Sequence, residues 1–225
     1  MVRIGVVLAG CGHLDGSEIH EAVLTAYFLQ QEGAELVFCA PDVDQMHVIN
    51  HLTGQVAAGE KRNVLVESAR IARGDITAVE KLKVRDLDAL VLPGGYGAAK
   101  NLSTFATEGP QCTVHPGVEG LVREVHKQGK PIGAICIAPA LIAKVLGKEG
   151  PTLTIGNDAG TAKALGACGA KHENRRVDEV TIDRKLRIVS TPAYMLGPNI
   201  TDIAKGIAAL CKEVVKLARA PQAVG

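Results

Sequence analysis

The sequence has no tryptophan and only 3% aromatic residues, so it lacks the stacking surfaces on which single-stranded nucleic acids bind. Its charges nearly cancel, because 25 Lys and Arg face 24 Asp and Glu for a net charge of +1. A balanced chain has no basic field to attract nucleic acid or anionic lipid. We therefore expect a small-molecule or protein partner, and neither nucleic acid nor membrane.

The chain also lacks any apolar run near the roughly 20 residues that cross a bilayer, and its start, "MVRIGVVLAGCG", has no cleavage site of a secretory signal. We expect a cytoplasmic protein, or a mitochondrial one if the source is an animal and a presequence was removed. With 225 residues, of which 47% are hydrophobic, the chain can bury one sizeable core. A single domain over residues 1–225 is predicted.

No CxxC pair or small-domain spacing occurs among the six cysteines, which predicts reduced thiols rather than a disulfide framework. A metal site is not expected either. Cys11 and His13 are neighbours, and His47 and His51 have helical i, i+4 spacing in "DQMHVINH", but no third ligand follows at a recognisable distance. The six cysteines are Cys11, Cys39, Cys112, Cys136, Cys168 and Cys211.

Strand and helix patterns alternate along the chain. "VRIGVVLAG" has the continuous β-branched pattern of a strand buried on both faces. "DGSEIHEAVLTAYFLQQEGAE" then predicts a helix with Ser17 as N-cap, Glu18 and Glu21 in its first turn and Gly33 as its stop. "AELVFCAPD", "DLDALVLPGG" and "PIGAI" supply further strands, each followed by a helix pattern or a connection. This order predicts an α/β fold with a parallel sheet between helical layers.

Two regions depart from that alternation. Residues from about 43 to 80 form a polar insertion with one short amphipathic helix, "NVLVESARIARG", and such an insertion either covers an active site or makes a subunit contact. Towards the C-terminus, "PTLTIGN" and "EVTIDRKLRIVSTP" predict added strands and a hairpin, and "ITDIAKGIAALCKEVVKLA" predicts a closing amphipathic helix.

The stretch "IGAICIAPAL" places Cys136 where a core strand turns directly into a helix. Such a nucleophile elbow needs small flanking residues, which Ala134 and Ala138 supply, and Pro139 is tolerated in a first helical turn. At a helix N-terminus the thiol pKa should fall below its usual value of about 8.5, which predicts a reactive thiolate. The alternative is that Cys136 is a small buried hydrophobic residue.

A second glycine turn, "LPGGYGAAKNL", follows another core strand. Ligands of open α/β sheets bind outside the carboxyl ends of the strands, so the N–H groups of Gly94, Gly95 and Ile137 are predicted to form an oxyanion hole beside Cys136. "GYGAAK" also matches a loose dinucleotide fingerprint. It follows Pro93, however, and no acidic residue lies at the expected distance, so no cofactor is expected.

Several motifs together resemble a known family. "LPGGYGAAKNL" and "GAICIAP" are similar to the class I glutamine amidotransferase-like superfamily, which includes PfpI proteases and the parkinsonism-associated deglycase. "GCGHLDGSEIHEAVLT", "VINHLTG", "RNVLVESARIARG" and "TPAYML" resemble its ElbB-like branch, named for enhancing lycopene biosynthesis and also called sigma cross-reacting protein. The resemblance covers nearly the whole chain.

This resemblance implies a flavodoxin-like three-layer sandwich, a homodimer, Cys136 as nucleophile and Glu18 as the carboxylate that hydrogen-bonds its sulfur. Glu18 could instead be only a helix-dipole partner. A carboxyl close to a thiolate should be protonated, because like charges raise one pKa. Gly156 and Asn157 stand where relatives place a triad histidine, which puts amide hydrolysis in doubt. His20 is either catalytic or turned to solvent.

A thiolate with a neutral Glu and no histidine suits attack on an aldehyde. Relatives act on glyoxal and methylglyoxal without glutathione, so the resemblance implies a glyoxalase of the hydro-lyase type that yields a 2-hydroxy acid. Asn101 and Tyr194 are candidates for the pocket, although Asn101 equally fits a helix cap and Tyr194 plain packing. Two other hypotheses remain: a redox sensor with an oxidisable Cys136, and a non-catalytic interaction protein related to isoprenoid metabolism.

Overall fold

The computed structural model describes residues 1–220, and a seven-stranded sheet forms its centre in the order β10-β11-β7-β6-β1-β2-β5. Six of these strands run parallel, and β10 pairs antiparallel with β11 at one edge. The strands of the described residues are β1 Val2–Val7, β2 Ala34–Ala40, β3 Ile49–Asn50, β4 Gln55–Val56, β5 Thr77–Ala78, β6 Ala89–Leu92, β7 Ile132–Ile135, β8 Thr152–Leu153, β9 Lys171–His172, β10 Thr181–Asp183 and β11 Ile188–Thr191.

Helices cover both faces of this sheet. The α-helices of residues 1–220 are α1 Ile19–Gln31, α2 Val64–Ala72, α3 Tyr96–Lys100, α4 Phe105–Glu108, α5 Pro116–Lys127, α6 Pro139–Leu146, α7 Ala159–Ala167 and α8 Ile200–Arg219. One apolar cluster joins α1, α2 and α8 to the sheet, and a second cluster on the other face contains α5 and α6. The predicted flavodoxin-like three-layer sandwich with a mostly parallel sheet is confirmed.

The start of α1 differs from the prediction in its capping residue. Glu18, not Ser17, is the N-cap, and its side chain accepts the N–H of Glu21. The Ser17 hydroxyl is fully buried and accepts the N–H of Ala9 instead, so Ser17 ties the end of the first strand to the start of the helix. At the other end α1 stops before Gly33, whose φ of 78° suits glycine, as predicted.

The order of the strands explains where a site forms. From β1 the chain moves to β2 on one side, and later to β6 and β7 on the other. In open α/β sheets ligands bind at such a reversal, outside the carboxyl ends of the strands. The loops after β1, β6 and β7 meet there: Tyr96 N–H donates to the carbonyl of His13 at 2.8 Å, and Gly97 N–H to that of Gly16 at 2.8 Å.

The predicted insertion at 43–80 divides into two parts. Its last residues form β5, which pairs in parallel with β2, so they belong to the central sheet. The earlier part contains the β3–β4 hairpin and α2, and the predicted amphipathic helix is confirmed. It contacts the loop after β1, since Ile49 N–H donates to the buried Asp15 carboxylate at 2.7 Å and His51 lies 3.7 Å from the same carboxylate. These contacts brace the loop.

The C-terminal predictions are confirmed in part. "EVTIDRKLRIVSTP" forms the β10–β11 hairpin, and the closing helix is α8. "PTLTIGN" supplies β8, which pairs with β9 in a separate two-stranded sheet rather than joining the central one. In the described part of the chain, no helix combines the length and the apolar character needed to cross a membrane.

Candidate active site

Cys136 stands at a strained turn between β7 and α6. Its φ of 62° is unusual for a residue with a side chain, and its N–H is held by the carbonyl of Thr191 at 2.9 Å. Ala134 and Ala138 are fully buried on either side. The side chain is 7% exposed and lines a cavity. The predicted elbow is therefore present, with the thiol at the cavity wall.

The carboxyl beside the sulfur belongs to Glu21. Its side chain is completely buried and hydrogen-bonds Cys136. Two backbone N–H groups hold it in place: that of Gly94 donates to Oε2 at 2.9 Å, and that of Tyr194 to Oε1 at 3.2 Å. The carboxyl thus joins α1, the glycine turn after β6 and the turn after β11.

The prediction that Glu18 hydrogen-bonds the sulfur is wrong. Glu18 caps α1 and accepts the N–H of Glu21 at 2.7 Å, so its carboxylate turns back onto the helix, although it still lines the cavity. One signal in the sequence could have identified Glu21. It shares i, i+4, i+8 spacing with Thr25 and Leu29 on the buried face of α1, where a carboxyl without a function is rare.

Burial dominates the proton equilibria of the pair. Burial and then the charge of Glu18 raise the pKa of Glu21 to about 8, although the N–H groups that it accepts lower it. Burial and then Glu21 raise the pKa of the Cys136 thiol well above its usual value, against the N–H groups of Gly95 and Ile137. The prediction of a lowered thiol pKa is therefore wrong, because desolvation outweighs the helix N-terminus. The carboxyl whose pKa is raised towards protonation is Glu21, and not Glu18 as predicted.

Two of the three predicted oxyanion-hole amides face the sulfur. The N–H groups of Gly95 and Ile137 hydrogen-bond Cys136, and both residues line the cavity. The N–H of Gly94 donates to Glu21 instead, so Gly94 does not belong to the oxyanion hole. Its amide positions the carboxyl.

Gly94 is required because its neighbours leave no space for a side chain. A Cβ there would lie 2.4 Å from the Cβ of Cys136 and 2.7 Å from Oε2 of Glu21. We expect Gly94→Ala to lower the free energy of unfolding by about 1–3 kcal/mol, the usual range for overpacking, and to change the alkylation rate of Cys136. Denaturant unfolding and peptide mass mapping measure the two effects.

The control for this variant is Gly120→Ala. Gly120 lies in α5 with open space around it and an ordinary φ, so the substitution should be neutral or slightly stabilising. Equal stability of both variants would contradict the close packing at the glycine turn.

His20 and Tyr194 form a polar pair on the cavity wall. His20 Nδ1 lies 2.8 Å from the hydroxyl of Tyr194 and 4.0 Å from the carboxylate of Glu18. Burial, then the charges of Glu18 and Glu21, raise the pKa of Tyr194, so its hydroxyl keeps its proton. Both predicted pocket residues line the cavity, and they are placed to act together. Tyr194 follows Ala193, which has a φ of 43°.

Asn101 has a different place from the one predicted. Its side chain is buried and donates to the carbonyls of Ala9 and Asp15, at 2.9 and 2.8 Å, and accepts the N–H of Met46 at 3.0 Å. It therefore joins the loop after β1 to the insertion and is not among the residues that line the cavity. Asn101 is also the C-cap of α3, but it caps this helix with its backbone N–H and not with its side chain.

Neither of the two positions expected for a triad histidine, Gly156 and Asn157, carries one. Gly156 has a φ of 104°, and a Cβ there would lie 2.7 Å from Cγ of Leu196. Asn157 is exposed. The histidines that line the cavity, His13 and His20, come from the loop after β1 and from α1. Within residues 1–220 no group of three or more His, Cys, Asp or Glu side chains is arranged to hold a metal ion.

The cavity has a volume of about 710 Å³. Its lining comes from the loop after β1, the start of α1, α3, α4, the elbow, α7 and the turn at 193–195. Its surface is mostly apolar, and of the pair Cys136 and Glu21 only Cys136 is among the lining residues. The residues that line it are His13, Glu18, His20, Gly95, Tyr96, Ala99, Phe105, Ala106, Cys136, Ile137, Thr161, Tyr194 and Met195.

Solved structures share this fold at two levels of similarity. An isoprenoid biosynthesis protein with an amidotransferase-like domain from Ehrlichia chaffeensis superposes with a TM-score of 0.91 at 36% identity, over 97% of this chain and 100% of that one. Glyoxalase III from Candida albicans superposes with a TM-score of 0.62 at 12% identity, over 96% and 97% of the two chains. The second likeness concerns the fold alone.

Comparison with known sequences agrees with the structural likeness. The human "Glutamine amidotransferase-like class 1 domain-containing protein 3, mitochondrial" is 49% identical over 224 residues, which cover 96% of this chain and 83% of the relative. The rat "ES1 protein homolog, mitochondrial" is 48% identical over 224 residues, with coverage of 96% and 84%. The model of the DJ-1/PfpI family matches residues 13–189, a range that holds the elbow, the buried carboxyl and the glycine turn after β6. The chain belongs to the DJ-1/PfpI family.

Proposed function

We propose that the chain is a glutathione-independent glyoxalase that converts glyoxal or methylglyoxal to a 2-hydroxy acid. The observation that carries this proposal is the buried pair: a thiol at a strained elbow, hydrogen-bonded to the Glu21 carboxyl, whose pKa is about 8. A carboxyl that changes its protonation state near neutral pH can both accept and return a proton. The reaction needs this, because it moves a proton between adjacent carbons.

The first step joins Cys136 to the aldehyde. Sγ forms a bond to the aldehyde carbon, the C=O double bond becomes a single bond, and the thiol proton passes through Glu21 to the oxygen, which gives a hemithioacetal. The N–H groups of Gly95 and Ile137 already face the sulfur. They stabilise the negative charge that develops on the oxygen.

The second step is an internal oxidation and reduction. Ionised Glu21 removes the C–H proton of the hemithioacetal carbon while the ketone oxygen takes a proton from the Tyr194 hydroxyl, which gives an enediol. The neighbouring carbon then takes the proton from Glu21, and the hydroxyl of the former aldehyde carbon returns a proton to Tyr194, which leaves a thioester beside a hydroxyl-bearing carbon. One carbon is oxidised and its neighbour is reduced, so no external redox agent enters. Water then attacks the thioester, the C–S bond breaks, the thiol regains its proton, and the 2-hydroxy acid leaves.

His20 and Tyr194 support the enediol step in this scheme. The protonated hydroxyl of Tyr194 and the imidazole of His20 are joined at 2.8 Å on the cavity wall, and the backbone N–H of Tyr194 donates to Glu21. A hydroxyl that keeps its proton can donate to the ketone oxygen of the substrate. The His20 side chain is 52% exposed, so the proton of the Tyr194 hydroxyl can exchange with solvent through the imidazole.

The alternative functions have less support. Amide hydrolysis by a Cys-His-acid triad needs a histidine, and the two positions where it is expected are Gly156 and Asn157. A redox sensor needs an exposed thiolate of low pKa, whereas Cys136 is 7% exposed and its pKa is raised. A non-catalytic interaction protein would have no evident use for a buried carboxyl beside the thiol.

Within the family we assign the chain to the ElbB-like branch. The similarity to the isoprenoid biosynthesis protein and to the ES1 homologue supports this branch. Both mammalian relatives carry the word mitochondrial in their names, so the mitochondrial location is proposed for an animal source, and the cytoplasm otherwise. The homodimer stays a prediction.

The direct test incubates the purified chain with glyoxal or methylglyoxal in D₂O without glutathione and follows products by proton NMR. We expect glycolate or lactate, formed well above the rate with an equal concentration of N-acetylcysteine. Lactate should carry deuterium at its second carbon in part of the molecules, because the proton on Glu21 exchanges with solvent. Product formation no faster than with the free thiol would overturn the proposed function.

A further inference from the structure

We infer that the cavity selects neutral ligands with an extended apolar group. On the proposed function, these are 2-oxoaldehydes that carry a long alkyl or an aryl substituent, with glyoxal and methylglyoxal as small members of the class. That these ligands are substrates rests on the proposed function. Their apolar and neutral character follows from the volume, lining and charge of the cavity.

The cavity is much larger than a two-carbon or three-carbon ligand requires. A cavity of 710 Å³ falls in the range of about 300–1,000 Å³ that holds drug-sized ligands. A glyoxal molecule bound to Cys136 fills only a small part of it. The remaining space would keep its water, and the binding energy that an apolar wall offers would not be used.

The lining of the cavity is mostly apolar. Its charged or titratable side chains are Glu18, His13 and His20, and its hydroxyl groups belong to Tyr96, Thr161 and Tyr194. The apolar side chains come from α3, α4, the elbow and the turn at 193–195, and they are Ala99, Phe105, Ala106, Ile137 and Met195. A ligand whose carbonyls reach Cys136 therefore has mostly apolar side chains around its substituent.

The charge of the lining also favours a neutral ligand. The lining residues include the Glu18 carboxylate but neither Lys nor Arg. The lysine of α3, Lys100, donates to the carbonyl of Leu14 at 2.9 Å and lies over the ring of Tyr96, so it is already engaged. The two histidines of the lining, His13 and His20, carry no fixed charge, and one of them already lies 4.0 Å from Glu18. Carboxylate or phosphate on the ligand would therefore meet the like charge of Glu18 without a permanent cation to pair with.

Kinetics with a homologous series tests the inference. Burial of each methylene contributes about 0.8 kcal/mol, or about fourfold in a binding constant. We expect kcat/KM for hexylglyoxal to exceed that for methylglyoxal by at least tenfold, and the anionic 2-oxoaldehyde 4,5-dioxopentanoate to be a poor substrate. In Ala106→Phe the ratio of hexylglyoxal to methylglyoxal should fall towards one, because the new ring takes up space along the apolar lining.

The matched control is Thr107→Phe, which adds the same ring at the next position of α4, where the side chain is exposed and outside the lining. It should keep the wild-type ratio. A wild-type chain that turns over methylglyoxal but shows no gain with hexylglyoxal would overturn the inference and leave the proposed function intact.

A second measurement does not depend on turnover. Peptide mass mapping gives the alkylation rate of Cys136 by iodoacetamide, N-hexyl iodoacetamide and iodoacetate, each divided by its rate with glutathione. We expect the hexyl reagent to react at least tenfold faster than iodoacetamide, and iodoacetate more slowly. Equal normalised rates would overturn the inference. Absence of dicarbonyl turnover together with a strong hexyl preference would overturn the proposed function and support the apolar ligand class.

Discussion

Replacing Cys136 with serine is expected to lower kcat/KM for glyoxal by about a thousandfold or more, to the level of the buffer. A hydroxyl is a far weaker nucleophile than a thiol, and neither Gly156 nor Asn157, where a triad histidine is expected, supplies an imidazole to activate it. Serine is close to cysteine in size, so the elbow with its φ of 62° should form as before. The measurement is glycolate formation by NMR, with circular dichroism as the check on folding.

Cys168→Ser is the matched control. Cys168 is a partly exposed free thiol at the end of α7, outside the cavity lining, with Sγ 3.7 Å from the carbonyl of Pro110. Its removal should leave turnover unchanged within about twofold, the level at which differences between preparations matter. Full activity of the Cys136→Ser chain would mean that the thiol at the elbow takes no part in the chemistry.

The elbow was predictable because every requirement for it is local. A buried strand, small residues at positions 134 and 138 and a proline that fits a first helical turn all appear within "IGAICIAPAL". The layers were predictable for a related reason, since alternating strands and helices allow few topologies. The glycine turn beside the elbow also follows from the rule that parallel strands present their carboxyl ends at one edge.

The partner of the sulfur was not predictable by the same reasoning. Glu18 and Glu21 are three residues apart at the start of one helix, and both fit its first turn. The choice depends on where the helix begins. Because Glu18 is the N-cap, its side chain turns back to the helix, and the next carboxyl faces the sheet. Helix ends are uncertain by a residue or two in any sequence pattern, and that margin separates the two candidates.

The direction of the shift in the pKa of the Cys136 thiol was not predictable for a different reason. A helix N-terminus and nearby N–H groups do favour the thiolate, and two such groups, from Gly95 and Ile137, face the sulfur. Desolvation acts in the opposite direction and is larger. The sequence places Cys136 at an edge of the sheet, but it does not show that the buried Glu21 carboxyl lies beside the sulfur. Burial depends on long-range contacts, here with the turn at 193–195.

These facts change the expected pH dependence. A thiol with a lowered pKa would give activity that is already maximal below neutral pH. In the pair described here, the form that reacts is the one that has lost a single proton, and the first proton leaves near pH 8. We therefore attribute the rise of kcat/KM with pH to Glu21, so the profile should reach its plateau only above pH 8.

Glu21→Gln is expected to remove this rise and to lower kcat/KM by about 10²–10⁴, the usual contribution of a general acid–base group. The amide can neither take the C–H proton nor return it. It can accept only one of the two N–H groups, from Gly94 and Tyr194, that the carboxyl now accepts.

Glu18→Gln is the matched control, because it neutralises the neighbouring carboxylate outside the hydrogen bond to sulfur. A loss in Glu18→Gln as large as in Glu21→Gln would contradict the assignment of the proton transfer to Glu21.

The same substitution has a signature in stability that does not depend on any substrate. The pKa of Glu21 is raised from 4.5 to about 8 on folding, so its contribution to stability is fully present below pH 4.5 and is lost as the pH rises through about 8. Between these values the unfolded chain ionises this carboxyl and the folded chain does not. The wild-type free energy of unfolding should therefore fall, relative to Glu21→Gln, by about 1.4 kcal/mol per pH unit.

Urea unfolding of both chains and of Glu18→Gln at pH 5.5, 6.5 and 7.5 measures the difference. The comparison uses slopes rather than absolute stabilities, because the amide leaves one buried N–H without its acceptor. Parallel curves for the wild type and Glu21→Gln would mean that this carboxyl is ionised in the folded chain, and the proton shuttle would then lack its neutral form.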